Sequence, residues 1–105
     1  MAIVSILRTP LPQGGAIQTL YTASHSTEIA DNIGLVNTYG IGIYVYLAFV
    51  PQTSYAPLGA IVYGRMLEPN EILTFDQRYM RVNDRIQGYA NIGNAVQITA
   101  NIITP

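Results

Sequence analysis

Turn-forming clusters recur along the chain at short intervals, and the runs between them are too short for anything but strands. The clusters are Pro12-Gln13-Gly14-Gly15, Ser24-His25-Ser26, Asn37-Thr38-Tyr39-Gly40, 51–54, Glu68-Pro69-Asn70, Asn83-Asp84 and 91–94. Gly supplies positive φ, Pro a fixed φ, and Asn and Ser bond their own backbone. The intervening runs are rich in Ile, Val, Thr and Tyr, which suit a pleated, half-buried surface. No segment carries a helical period. The pattern predicts strands near 2–8, 16–22, 28–37, 41–50, 58–67, 71–76, 84–90 and 95–103. It therefore predicts an all-β chain with a single antiparallel β-sandwich, jelly-roll or immunoglobulin-like, of about eight short strands. Residues 1–105 read as one domain, with 1–12 as an N-terminal arm or edge strand.

Alternation assigns the faces. In the last strand Val96, Ile98, Ala100 and Ile102 share one face, and Gln97, Thr99 and Asn101 the other. That is the signature of an antiparallel sheet buried on one side. In the sixth, Leu73 and Phe75 oppose Ile72 and Thr74. The third strand places Ile29, Ile33 and Leu35 inward but puts Asp31 on the same side. Either Asp31 lies at an open end, or a bulge shifts the register. The 41–50 strand does not alternate by polarity. One face carries Ile41, Ile43, Val45, Leu47 and Phe49, and the other Tyr44, Tyr46, Ala48 and Val50. One of these faces must point outward. Tyr tolerates that best, with its apolar body and polar tip. The stripe is either a partly exposed sheet surface or a subunit interface, where Tyr is enriched. The interface reading makes Tyr44, Tyr46, Ala48 and Val50 the contact residues.

Charge is the scarce ingredient. Only 10% of residues are charged, against about 25% in an average soluble domain. All five basic residues are arginine, the net charge is −1 and no basic run exists. An electrostatic footprint for nucleic acid is therefore missing. Hydrophobic residues reach 50%, which excludes disorder. Either Tyr, Thr, Asn and Gln make up a soluble surface, or much of the surface is covered by further copies or by a larger assembly. No residue in 32–64 is charged. Its uninterrupted apolar run is only 41–50, however, and a membrane helix needs about 20 residues. The N-terminus has no positive segment before its apolar stretch, so it does not read as a signal peptide.

Catalytic chemistry is thinly supplied. There is no Cys and one His, His25, in a Ser-His-Ser turn. Glu28 is near it in sequence, but no nucleophile elbow accompanies them. Glu68 and Glu71 flank Pro69-Asn70 and read as turn residues and caps. Asp76, Asn83 and Asp84 lack the dense spacing of a calcium loop. No phosphate-binding glycine motif opens a helix. The expectation is a binding protein without catalytic residues, metal or cofactor. Three of the five arginines, Arg78, Arg81 and Arg85, fall within eight residues, interleaved with Asp76 and Asp84. They form either local ion pairs across a turn or a charge-assisted docking patch for an acidic surface. The 51–57 loop, with two prolines and Tyr55 near its centre, is either a partner contact or a plain connection.

The order of these segments also resembles a known group. Thr19-Leu20-Tyr21-Thr22-Ala23 is followed by Leu35-Val36-Asn37-Thr38, then by Leu67-Glu68-Pro69-Asn70-Glu71-Ile72-Leu73-Thr74-Phe75. Val82-Asn83-Asp84-Arg85-Ile86 and Ala95-Val96-Gln97-Ile98-Thr99-Ala100 complete the series. Together they resemble the small β-sandwich proteins of tailed-bacteriophage virions, and among them the capsid decoration, or cement, proteins. The resemblance spans roughly residues 16–102. Asn70 and Asn83 stand where the pattern commonly has Gly. Asn is the best non-glycine residue for a positive φ, so both turns remain possible. The resemblance implies a structural protein on the capsid exterior, assembled in the host cytoplasm, that clamps neighbouring major capsid proteins, often as a homotrimer. It implies no catalytic residue and no cofactor. On that reading Pro51, Tyr55, Arg78, Arg81 and Arg85 touch the major capsid protein. A fibre, neck or tail module would share the same fold and surfaces. A carbohydrate-binding sandwich would instead want an aromatic platform, usually with Trp, and the chain has none.

Overall fold

The computed structural model describes residues 2–14, 18–51 and 60–104. Among them are nine strands: β1 (Ala2–Pro10), β2 (Gln18–Thr22), β3 (Thr27–Asn37), β4 (Ile43–Val50), β5 (Ala60–Leu67), β6 (Ile72–Phe75), β7 (Arg78–Arg81), β8 (Arg85–Ala90) and β9 (Val96–Thr104). They form two antiparallel sheets. One has the order β1-β9-β3-β6, with β7 also on β3, and is called sheet A here; the other, sheet B, runs β2-β8-β4-β5. The sheets pack as a β-sandwich.

The strand order separates the two sandwich types. An immunoglobulin sandwich keeps its first two strands in one sheet. Here β1 and β2 lie in different sheets, and β1 pairs with the last strand, β9. This is the double Greek-key arrangement of a jelly roll. The strand beyond the expected eight comes from one broken edge. β6 pairs Ile33–Val36 of β3 and β7 pairs Thr27–Ala30, so the two run along a single neighbour. The break at Asp76 and Gln77 lies opposite a bulge in β3.

That bulge resolves the Asp31 conflict. The register of β3 on β9 shifts between Asp31 and Gly34, and Asn32 carries φ 51°. Each side chain N-terminal to the bulge changes face relative to simple alternation. Ala30 therefore points inward opposite Ile102. Ile29 and Asp31 face outward together, so the inward assignment of Ile29 is corrected. Asn70 and Asn83 take φ 62° and 69°, so both tight turns form without glycine.

The core fills the space between the sheets. Leu35, Ile33, Ile98 and Ile102 from sheet A meet Ile43, Val45, Leu47 and Ile86 from sheet B, all fully buried. Leu11, just after β1, closes one end. Gly88 on β8 is required by space: a Cβ there would sit 2.6 Å from the Tyr46 carbonyl oxygen. Asn37 is buried yet satisfied. Its Nδ2 donates to the carbonyls of Ile41 (2.8 Å) and Leu67 (2.9 Å), and its Oδ1 accepts from the Tyr39 N–H (2.9 Å). It ties the β3–β4 connection to the end of β5. No helix among the described residues is long and apolar enough to cross a membrane.

Candidate functional site

The densest group of titratable side chains surrounds Glu28. Glu28 sits near the start of β3, points inward and is fully buried. Its Oε1 accepts from the Tyr21 hydroxyl at 2.6 Å. Its Oε2 accepts from the backbone N–H groups of Ser24 (3.1 Å) and His25 (2.9 Å), from Ser24 Oγ (3.4 Å) and from His25 Nδ1 (2.6 Å). Burial pushes the Glu28 carboxyl up. The bonds from Tyr21, His25 and the two backbone N–H groups outweigh burial and hold it below the ordinary carboxylate range. Burial and the neighbouring carboxylate raise the Tyr21 hydroxyl well above its usual value.

This group fastens a turn rather than building a catalytic triad. A triad places the nucleophile on one imidazole nitrogen and the acid on the other. Here Ser24 Oγ (3.3 Å) and Glu28 both meet Nδ1 of His25. His25, half-exposed in its turn, bridges solvent to a buried carboxylate. Glu71 caps its own turn, accepting from the Glu68 N–H at 2.9 Å and pairing with Arg65 at 3.0 Å. Asn83 and Asp84 serve the β7–β8 turn, where Asp84 Oδ2 accepts from the Arg81 N–H at 2.9 Å.

The tyrosine stripe of β4 divides in two. Tyr44 faces out from sheet B and is 43% exposed. Tyr46 is half-buried and stacks on Tyr89, its register neighbour on β8, with ring centroids 4.3 Å apart. Ala48 and Val50 are each only 1% exposed, so they have no surface to give a partner. That corrects the four-residue interface. Ala48 is a methyl group on a central strand, flanked by β8 and β5, and Val50 lies in the wall of a hollow at the sandwich edge.

That hollow gathers residues that are far apart in sequence. It measures about 160 Å³ and is lined by Phe49, Val50 and Pro51 at the end of β4, by Arg78, Tyr79 and Met80 of β7, and by Asp84 and Arg85 where β8 begins. Pro51, Arg78 and Arg85 therefore share one site, and Arg85 donates to the Pro51 carbonyl at 3.3 Å. Arg81 faces outward, beside Thr27 in register, and is not part of the lining. Tyr55 lies outside the described residues. A second hollow, of about 420 Å³, opens at the β3 bulge between Asp31, Asn32, Thr74, Asp76, Gln77 and Thr99.

Sequence reasoning missed the most exposed apolar group. Ile3, Ile103, Ile29 and Tyr79 are register neighbours across β1, β9, β3 and β7. They form one row on the outer face of sheet A. Ile3 is 62% and Tyr79 69% exposed, while Ile29 and Ile103 between them are buried; Ile6, at 55%, extends the patch along β1. The available signal was the run Ile3-Val4 followed by Ile6, which breaks alternation at the start of the chain. Tyr79 gave none, because its arginine neighbours made the segment read as a solvated turn. No protein-family model matches the chain, and a search of curated proteins finds no match.

Proposed function

We propose that the protein is a structural virion component that binds the outer surface of a bacteriophage capsid and cements neighbouring major capsid proteins, acting as a homotrimer. The observation that carries this reading is the apolar row Ile3–Ile103–Ile29–Tyr79 on a charge-poor surface. An exposed apolar patch marks a contact, and here the exposed Ile3 and Tyr79 flank the buried Ile103 and Ile29 across four strands of one sheet. Two further features support a binding role. The densest titratable group is turned inward to hold a turn, and the order of sequence segments resembles capsid decoration proteins. A jelly roll suits the task, because its paired sheets present a stiff face without needing a partner to fold.

Size-exclusion chromatography with light scattering tests the reading. The expected mass of the wild type is about three times 11.5 kDa. The double variant Ile3→Asp/Tyr79→Asp should run as a folded monomer. Both side chains are exposed, so their loss should cost the single chain less than about 0.5 kcal/mol. A wild type that stays monomeric at high concentration counts against the self-association.

A further inference from the structure

We infer that the hollow between β4, β7 and β8 is a binding site for a single carboxylate side chain, an Asp or Glu presented by a partner protein. If the virion reading holds, the capsid would present that side chain here. The geometry nevertheless stands without it.

Three observations lead to a carboxylate. The first is charge. Among the described residues of the lining, Arg78 and Arg85 are basic and Asp84 alone is acidic, an excess of one positive charge. Arg78 is exposed and makes no ion pair among the described residues. The second is shape. At about 160 Å³ the hollow is smaller than the roughly 300–1,000 Å³ of small-molecule sites. It is sized for one side-chain head. The third is the walls. Phe49 and Pro51 offer apolar surface in the same lining as the two arginines. Methylenes can pack there while the carboxylate meets a planar fork of N–H donors.

The local fold fixes the site. Met80 is 2% exposed and lies beside Glu28 in register, so the strand bearing Arg78 is anchored by a core residue two positions along. Arg85 is held by its bond to the Pro51 carbonyl. A partner would therefore meet one arginine already positioned and one free to close on it. This arrangement lowers the ordering cost of binding.

The test is an NMR titration of the isotope-labelled full chain with N-acetylglutamate and with N-acetylglutamine at the same ionic strength, each as its C-terminal methylamide so that the glutamate side chain is the sole carboxylate. The backbone amides of Phe49, Val50, Met80 and Arg85 should shift and saturate with N-acetylglutamate only. A dissociation constant on the order of millimolar is expected for so small a probe. Arg78→Gln should weaken binding roughly tenfold. Arg81→Gln removes the same charge from outside the hollow and should change it less than about twofold. Four results would overturn the inference: no saturable shift, equal shifts with N-acetylglutamine, equal weakening by Arg81→Gln, or tighter binding of inorganic phosphate. Because the readout is the hollow itself, failure here leaves the oligomer test of the virion reading untouched, and the reverse also holds.

Discussion

Two polar regions lie side by side, Glu28 on β3 and the arginine hollow behind Met80 of β7, its register neighbour. They use charge in opposite ways. Around Glu28 one carboxylate oxygen is engaged by Tyr21 of β2 and the other by the turn that follows it, and the side chain is fully buried. In the hollow Arg78 is exposed and makes no ion pair among the described residues. The first region consumes its interactions in holding the fold. The second leaves the Arg78 charge without an ion-pair partner among the described residues. Burial with complete hydrogen bonding, rather than charge content, marks the Glu28 cluster as structural.

Substitutions should sharpen that contrast. Glu28→Gln should have the largest effect, on the order of 3 kcal/mol of stability by chemical denaturation. All of its partners are donors, and an amide nitrogen would be forced against one of them. Tyr21→Phe should cost about 1.5–3 kcal/mol, since it deletes one charge-assisted bond and leaves the others. The pH dependence has a definite sign. The folded Glu28 carboxyl titrates below its ordinary value of 4.5. Its stabilisation is therefore complete above that value and is lost as pH falls through the lower folded value. Melting curves of wild type and Glu28→Gln should differ most at neutral pH and converge in acid; a constant gap would break the assignment. Smallest of all, Arg78→Gln should change stability by less than about 0.5 kcal/mol. A larger loss would show that the hollow, too, serves the fold.

The outer faces of the sheets repeat the contrast. The sequence drew attention to β4, with Tyr44, Tyr46, Ala48 and Val50 in line. The structure stacks Tyr46 on Tyr89 and buries the last two. The more open surface lies on sheet A, where Ile3 and Tyr79 flank Ile103 and Ile29. Alternation reports which face a side chain takes. It does not report what stands beside that side chain in the next strand.

Much of the architecture was legible from local chemistry. Turn residues marked the strand ends to within a few positions. Alternation in β9 and β6 assigned their faces correctly. Asn70 and Asn83 were readable as positive-φ turn residues because few other side chains tolerate that conformation. β7 was not legible, because Arg-Tyr-Met-Arg has only one inward apolar residue, Met80, and needs β3 to become a strand. The role of Glu28 was half legible: its nearness to His25 was visible, its burial was not.

Local sequence thus determined that the chain is an antiparallel β-sandwich, because turn propensity and alternation act over a few residues. Tertiary structure alone decided between jelly roll and immunoglobulin order, since both are built from the same strands and differ only in which distant ones pair. It also decided the register. One residue, Asn32, displaced from the ladder turned Ile29 from the inner to the outer face of its sheet. Finally, it decided the site. Pro51, Arg78 and Arg85 meet only because β4, β7 and β8 end at the same edge of the sandwich, a proximity set by long-range pairing.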